Sequence, residues 1–207
     1  MSAPTVDFPL FALPLVVLPG EIVPLHIFEE RYQQLVDACL ADEREFAVVQ
    51  LTDDVLQEIG CACVIERVLE TFDDGRRNIV VRGTRPLRVL EREHDLPYPT
   101  ATVEFLNDTD RNPSAAQLEV ARGIYAQLVR KATDRAADPA EIAALDAYAM
   151  AATVDFGLDV KQTLLSLRSE PARLTLLTRL FRAALRRLDF VDRAQARAKS
   201  NGKVSIA

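Results

Sequence analysis

Residues 8–32 read FPLFALPLVVLPGEIVPLHIFEERY, an apolar segment in which a proline stands at every fifth position through residue 24. Each proline removes a backbone donor and fixes φ, so this segment cannot form a helix up to Pro24. The apolar pieces between the prolines are short, which predicts extended chain at strand edges or packed on a core. Pro19-Gly20 predicts a turn.

The hydrophobic period changes at Phe28. From there the apolar residues recur at the spacing of one helix face, with polar residues between them. We expect this helix to end near Leu40 to Asp42. Its apolar face consists of Phe28, Tyr32, Leu35, Val36, Cys39 and Leu40.

Short apolar or alternating segments follow the helix and predict strands. Asp74-Gly75 is a strong hairpin signal between two of them. Gly83 is expected to break the chain between two others. Such strands joined by hairpins predict a small antiparallel barrel or sandwich. The predicted strands are 46–51, 60–72, 77–82, 86–92 and 101–105.

The composition turns to Ala, Leu and Arg after a polar boundary at residues 107–112. Asn112-Pro113 predicts a helix start, with asparagine as the N-cap. Asp138-Pro139 predicts a second helix that runs to about Thr153. Further helix starts are expected near Asp159 and at Glu170-Pro171. The last helix has a heptad-like apolar seam, which could bind a partner helix but more often packs within its own bundle. The seam consists of Leu174, Leu177, Phe181, Ala184, Leu188 and Val191.

We therefore predict an α+β fold with a β subdomain at 1–110, a helical subdomain at 111–199 and a flexible tail at 200–207. The charge is divided in the same way. Residues 1–110 hold 9 Arg, no Lys and 21 acidic residues, whereas residues 111–207 hold 16 basic and 10 acidic residues. The acidic first half argues against nucleic acid as the main partner.

No segment has the roughly 20 apolar residues that a membrane-spanning helix needs. The start of the chain also lacks the basic region of a secretory signal, since its first positive side chain is Arg31. We therefore expect a cytoplasmic protein without a membrane partner. The odd number of cysteines fits a reducing compartment.

The sequence offers little material for catalysis. It contains no GxxxxGK[ST], GxGxxG, GxSxG or HExxH motif. Cys61 and Cys63 could form half of a metal site, but no second cluster accompanies them, and His26 and His94 are isolated. The acidic pairs, such as Asp53-Asp54, are typical of solvated turns and caps. We therefore predict no catalytic, cofactor-binding or metal-binding residue, and no cofactor; the ligand-binding residues stay unknown.

The segment from Phe8 to Tyr32 resembles the opening of the N-terminal, substrate-binding domain of Lon proteases, which typically reads "LPLFPL…LFPG…PLHIFE.RY". Weaker resemblances follow at residues 60–65, 83–89 and 158–188. The family implies a PUA-like antiparallel β pseudo-barrel with one inserted helix, followed by a C-terminal α-helical bundle. ATP hydrolysis and cleavage by the Ser-Lys dyad belong to other domains of that family's proteins.

The resemblance implies a stand-alone, non-catalytic module that binds unfolded or tagged polypeptides or another protein, for which a resident Lon protease is one candidate. The family's recurring residues suggest structural roles here. Phe28 and Tyr32 are expected to plug the helix onto the barrel, and Glu29 and Arg31 to form local ion pairs or cap contacts. The recurring residues are Pro19, Gly20, Leu25, Phe28, Glu29, Arg31 and Tyr32.

An alternative function stays open at this point. The chain could bind a small molecule, or act as an uncharacterised enzyme, through a cleft between the β and α subdomains. A deep pocket with converging polar groups would favour that alternative, and an apolar surface would favour the peptide-binding module.

Overall fold

The computed structural model describes residues 3–93 and 96–201. Seven strands and one helix precede five further helices. The elements are β1 (Thr5–Leu13), β2 (Ile22–Ile27), α1 (Glu30–Ala41), β3 (Phe46–Thr52), β4 (Val55–Leu56), β5 (Ile59–Thr71), β6 (Arg77–Glu93), β7 (Thr100–Phe105), α2 (Ala115–Thr133), α3 (Pro139–Ala144), α4 (Ala147–Ala151), α5 (Leu158–Ser166) and α6 (Glu170–Asn201).

Five strands close into a ring in the order β1-β7-β6-β5-β3, because β1 pairs with both β7 and β3. The β1–β3 pairing is parallel, whereas the other pairings in the ring are antiparallel. Apolar side chains that range in size from Ala to Phe fill a core cluster that these strands share. This arrangement confirms the predicted β pseudo-barrel with one inserted helix. The cluster consists of Phe8, Leu10, Ala47, Val49, Ala62, Leu87, Ala101 and Val103.

The expected break at Gly83 is wrong, because β6 runs without interruption from Arg77 to Glu93. Gly83 is required for packing rather than for a turn. A Cβ built on Gly83 would lie 2.2 Å from the backbone oxygen of Leu18. Glycine thus lets the segment before β2 approach the middle of the long strand.

Helix α1 packs on the barrel through Tyr32, whose ring centroid lies 4.1 Å from that of Phe11. Phe11 in turn lies 6.3 Å from Phe46. Leu35 and Val36 are fully buried on the same helix face. The predicted apolar face is therefore confirmed at these positions, whereas its first and last members, Phe28 and Leu40, are 60% and 40% exposed.

The residues form two compact units. The first unit consists of the residues up to Thr109 and of Tyr148–Arg168. The second unit consists of Asp110–Ala147 and the residues from Ser169 onward. Residues 148–168 thus pack with the β-strands, although the sequence places them in a helical half. Within the first unit, Gln162 Nε2 of α5 donates to Ile59 O over 2.9 Å, and Lys161 pairs with Glu21.

In the second unit α2 and α6 pack through Tyr125 and Phe181, whose ring centroids are 5.4 Å apart. The seam of α6 is buried at Leu174, Leu177 and Phe181, whereas Val191 is 41% exposed. The first half of the predicted seam therefore packs within its own unit. Near its start, the buried Arg173 guanidinium lies 2.9 Å from the carboxylate of Glu170.

Two predicted helix limits are wrong. The N-cap of α2 is Ser114 rather than Asn112, because Ser114 Oγ accepts from Gln117 N while Gln117 Oε1 accepts from Ser114 N. The predicted start at Asp138 is confirmed, since its side chain accepts from Ala140 N. That helix ends at Ala144, however, and Arg122 Nη2 donates to the carbonyl oxygen of the next residue, Leu145, over 2.7 Å. The predicted tail at 200–207 lies outside the described residues from position 202 onward.

Candidate functional site

Strand β2 exposes an apolar face in the first unit. Ile22, Pro24 and His26 alternate with more buried neighbours, and they pair with Arg82, Val80 and Asn78 of β6. Ile22 is 61% exposed, and Phe28, directly after the strand, is 60% exposed. Because paired residues of an antiparallel ladder share a face, these side chains form one continuous surface.

An aromatic cluster ends this surface. The rings of His26 and Phe28 stack at 6.0 Å with an interplanar angle of 22°. Phe72 lies edge-on to His26 at 6.2 Å, and the Arg76 guanidinium lies 5.3 Å from the Phe72 ring centroid. We call the set of Ile22, Pro24, His26, Phe28 and Phe72 the β2 strip.

A row of polar side chains that includes His26 crosses three strands. His26 Nδ1 lies 2.7 Å from Asn78 Oδ1, and Asn78 Nδ2 donates to Glu70 Oε2 over 3.0 Å. Asn78 is the register partner of both His26 on β2 and Glu70 on β5. The row holds the His26 ring in a defined orientation beside an apolar surface, which is a typical arrangement for a binding surface.

Strand β2 lies at an edge of the sheet. In the described residues it pairs with β6 alone. Gly83 N donates to Glu21 O over 2.9 Å, so by alternation along the ladder the backbone groups of Ile22, Pro24 and His26 point away from β6. Pro24 therefore places its missing donor on the open edge, where it interrupts strand addition by another chain. The side chains, rather than the backbone edge, are the groups this strand offers.

One expectation about this region changes. Phe28 does not plug α1 onto the barrel, since it projects to solvent with His26, whereas Tyr32 is buried as predicted. His26 contacts the Asn78 side chain. The predicted local ion pair is confirmed, with Arg31 Nη2 2.7 Å from Glu29 Oε2.

The cysteines are buried thiols. Cys61 and Cys63 are fully buried and free, and Cys63 Sγ lies 3.6 Å from Cys61 O. The side-chain hydrogen bond with Cys61, together with burial, raises the pKa of Cys63 well above its ordinary value. Burial raises the pKa of Cys39 to about 11. Cys39 and Cys63 are therefore protonated at neutral pH, the form that is a poor nucleophile and a poor metal ligand.

The other residues considered for chemistry do not converge. Asp53 and Asp54 occupy a turn with φ values of 50° and 63°. Asp74 pairs with Arg76 over 2.6 Å, and the hydrogen bond from the Arg76 backbone lowers its carboxyl pKa. Among residues 3–93 and 96–201 no three His, Cys, Asp or Glu side chains are placed to hold a metal ion. His94 lies outside the described residues.

Sequence reasoning did not identify the β2 strip. Its signal was present in IVPLHIF, where apolar residues occupy both alternating sets of positions. Both sets would be buried in an interior strand. In an edge strand with one covered face, the second set must be exposed, and only the pairing of β2 shows which set that is.

Comparison with known proteins identifies relatives of the chain. The model of the ATP-dependent protease La (LON) substrate-binding domain matches residues 7–183. A Lon protease from Paraburkholderia phytofirmans is 28% identical over 178 residues, which cover 77% of this chain. The chain spans only 22% of the length of that relative.

Solved structures agree with this assignment. The Lon N-terminal domain protein from Xanthomonas campestris superposes with a TM-score of 0.63 at 25% identity, over 82% of this chain and 95% of that one. The N-terminal domain of Mycobacterium avium complex Lon protease has the same fold, with a TM-score of 0.63 at 18% identity over 84% and 97% of the two chains. No described helix of this chain is both long and apolar enough to span a bilayer. The chain belongs to the family of Lon substrate-binding domains.

Proposed function

We propose that this domain binds unfolded polypeptide segments through the β2 strip and performs no catalysis itself. The single observation that carries the proposal is the exposure of Ile22 and Phe28, at 61% and 60%, on one face with His26 and Phe72. Apolar side chains in a contiguous exposed group mark interaction surfaces more often than scattered ones do. Family membership supports substrate recognition as the role.

The size of the strip suggests weak and transient binding. Full burial of one large apolar side chain contributes about 1.5–3 kcal/mol. Association alone costs roughly 4–15 kcal/mol, and the ordering of an unfolded segment adds to that cost. Two to four apolar contacts contribute about 3–12 kcal/mol, so the strip should bind no tighter than about micromolar. Such affinities suit capture and release of varied chains.

The net charge of the first 110 residues favours apolar segments that also carry basic residues. These residues are strongly acidic overall, although the aromatic rings have Arg76 as well as Glu70 in their surroundings. A polyanion would be repelled from this unit, whereas a basic flank would be attracted at low salt. The strip should therefore recognise apolar residues that an unfolded segment exposes and that a folded protein would bury.

Binding of a permanently unfolded protein tests the proposal. Reduced, carboxymethylated α-lactalbumin, immobilised on a biosensor, should retain the domain, and the same protein in its folded form should not. The double variant Ile22→Ser/Phe28→Ser should lose this binding by about tenfold or more, since it removes two exposed apolar anchors.

The matched control is Val6→Ser/Val55→Ser, because these valines are 63% and 62% exposed and lie outside the strip. It should bind as the unchanged domain does. Equal loss in both double variants would mean that general surface hydrophobicity, rather than the strip, holds the unfolded chain. The expectation of a resident Lon protease as a partner is tested separately, by co-purification from the native host.

A further inference from the structure

A second surface lies in the helical unit. A groove of about 460 Å³ runs between the first half of α2 and the start of α6. Its apolar wall includes Val120, which is 45% exposed, and the buried Leu174. Thr175 and Thr178 line the same groove. The space is large enough for an apolar side chain from a partner.

Arginines border this groove on one side. Arg179 and Arg182 line it, and Arg186 follows one turn further along α6. Their i, i+3, i+7 spacing places the three on one helix face. Phe190, four residues on, continues that face and is 73% exposed. From Arg179 to Phe190 the face extends about 16 Å along the helix. We call Arg179, Arg182 and Arg186 the arginine face.

These arginines have no acidic partner within the part of the chain that the structure describes. The acids of the same helix are engaged elsewhere. Lys131 of α2 lies 2.5 Å from Asp189 and 2.8 Å from Asp192. The hydrogen bond from Lys131 lowers the pKa of Asp189. The arginine face therefore presents positive charge that its own unit does not neutralise.

The two features together define the chemistry of a partner. Three guanidinium groups on one face match carboxylates at three- and four-residue spacing, which an acidic helix provides. The groove beside them accepts an apolar side chain from the same segment. A bilayer surface would engage the charge but leave a recessed groove empty, so the combination favours a protein segment over an anionic membrane.

We propose that the arginine face and the α2–α6 groove form a docking site for an acidic amphipathic segment of a partner protein. This site is independent of the β2 strip, so the domain has two surfaces of different selectivity. The strip selects exposed apolar residues, and the arginine face selects negative charge beside an apolar anchor.

Fluorescence anisotropy with a synthetic probe tests the site. The probe is a short fluorescein-labelled peptide with glutamates at helical spacing and a single leucine. It should bind the full chain at low salt and dissociate as salt rises. Replacing its glutamates by lysines should abolish binding. Absence of binding by the glutamate probe, or equal binding by the lysine probe, would overturn the proposal.

Variants locate the interaction. Arg179→Glu/Arg182→Glu should weaken binding about tenfold or more, since it converts two attractions into repulsions. Arg179→Gln/Arg182→Gln should show a smaller loss. Arg135→Glu/Arg187→Glu makes the same charge change outside the groove and should leave most of the binding intact. Equal losses in the two glutamate variants would show a net-charge effect and refute a defined site, as would binding to phosphatidylserine vesicles that exceeds binding to the peptide.

Discussion

His26 and Asn78 lie opposite each other on β2 and β6, with His26 Nδ1 2.7 Å from Asn78 Oδ1. The contact joins an edge strand to the long strand of the barrel on the side that carries Phe28 and Phe72. Through Asn78 it extends to Glu70 on β5. His26 therefore connects the aromatic end of the β2 strip to a polar row that spans three strands.

Removal of the central residue tests whether that row orients the strip. Asn78→Ala should lower the free energy of unfolding by only about 0.5–1.5 kcal/mol, because the lost hydrogen bonds are exposed. It should weaken binding of unfolded α-lactalbumin roughly two- to tenfold, because the His26 side chain would no longer be held by Asn78 and would have to be ordered on binding. Urea unfolding and biosensor titration measure the two quantities. Asn112→Ala, in the second unit, should change neither.

Glycine substitutions test the packing of β6. Gly83→Ala should lower the free energy of unfolding by roughly 1–3 kcal/mol, because the new Cβ would lie 2.2 Å from Leu18 O. Gly123→Ala, in α2, should raise it by about 0.5–1 kcal/mol, since nothing lies within 4 Å of a Cβ there. Urea denaturation followed by circular dichroism measures both. A neutral Gly83→Ala would contradict the close approach.

The buried ion pair of the second unit should be costly to break. Arg173→Met leaves the buried Glu170 carboxylate without its guanidinium partner, although Ala147 N still donates to it over 2.8 Å. We expect a loss of about 3–5 kcal/mol. Arg82→Met removes the half-exposed pair with Glu66 and should cost no more than about 1 kcal/mol. Similar denaturation midpoints for the two variants would show that the Glu170–Arg173 pair is not buried in solution.

The cysteines should be unreactive in the native protein. At pH 8 a chromogenic disulfide reagent should label all three thiols of the denatured chain but fewer than one in the folded chain over the same time. Burial raises the pKa of Cys39 from 9.0 to about 11. An unfolded thiol therefore ionises in that window while the folded one stays protonated, so stability should fall as pH rises from 9 through 11. Rapid labelling of the native protein would contradict the burial of its thiols.

Much of the fold could be predicted because local signals and tertiary packing agree. The period change after Phe28 and the Asp74-Gly75 turn both correspond to observed features, α1 and the turn between β5 and β6. The misplaced limits have both distant and local causes. Leu18 O lies where a Cβ of Gly83 would stand, so this glycine marks a close approach and not a break, and Arg122 donates to Leu145 O just after the helix from Pro139 ends. The start of α2 is set locally, by the capping box at Ser114.

The candidate site could not be predicted in the same way. An apolar residue that is exposed for function has the same side chain as one that is buried for stability. Phe28 matched the α1 face by spacing, yet it precedes the N-cap, Glu29, and its ring turns toward His26. The arginine face was visible as a run of charge, but its adjacent groove requires the packing of α2 against α6.

Mapping by nuclear magnetic resonance tests the central claim most directly. An apolar peptide with a basic flank is titrated into the isotopically labelled chain while backbone amide shifts are followed. We predict that the largest changes fall on Ile22, the residues from Leu25 to Phe28, the turn after Phe72, and Asn78, with no comparable changes on α2 or α6. Shifts concentrated on the helices, or no shifts at saturating peptide, would contradict the assignment of substrate binding to the β2 strip.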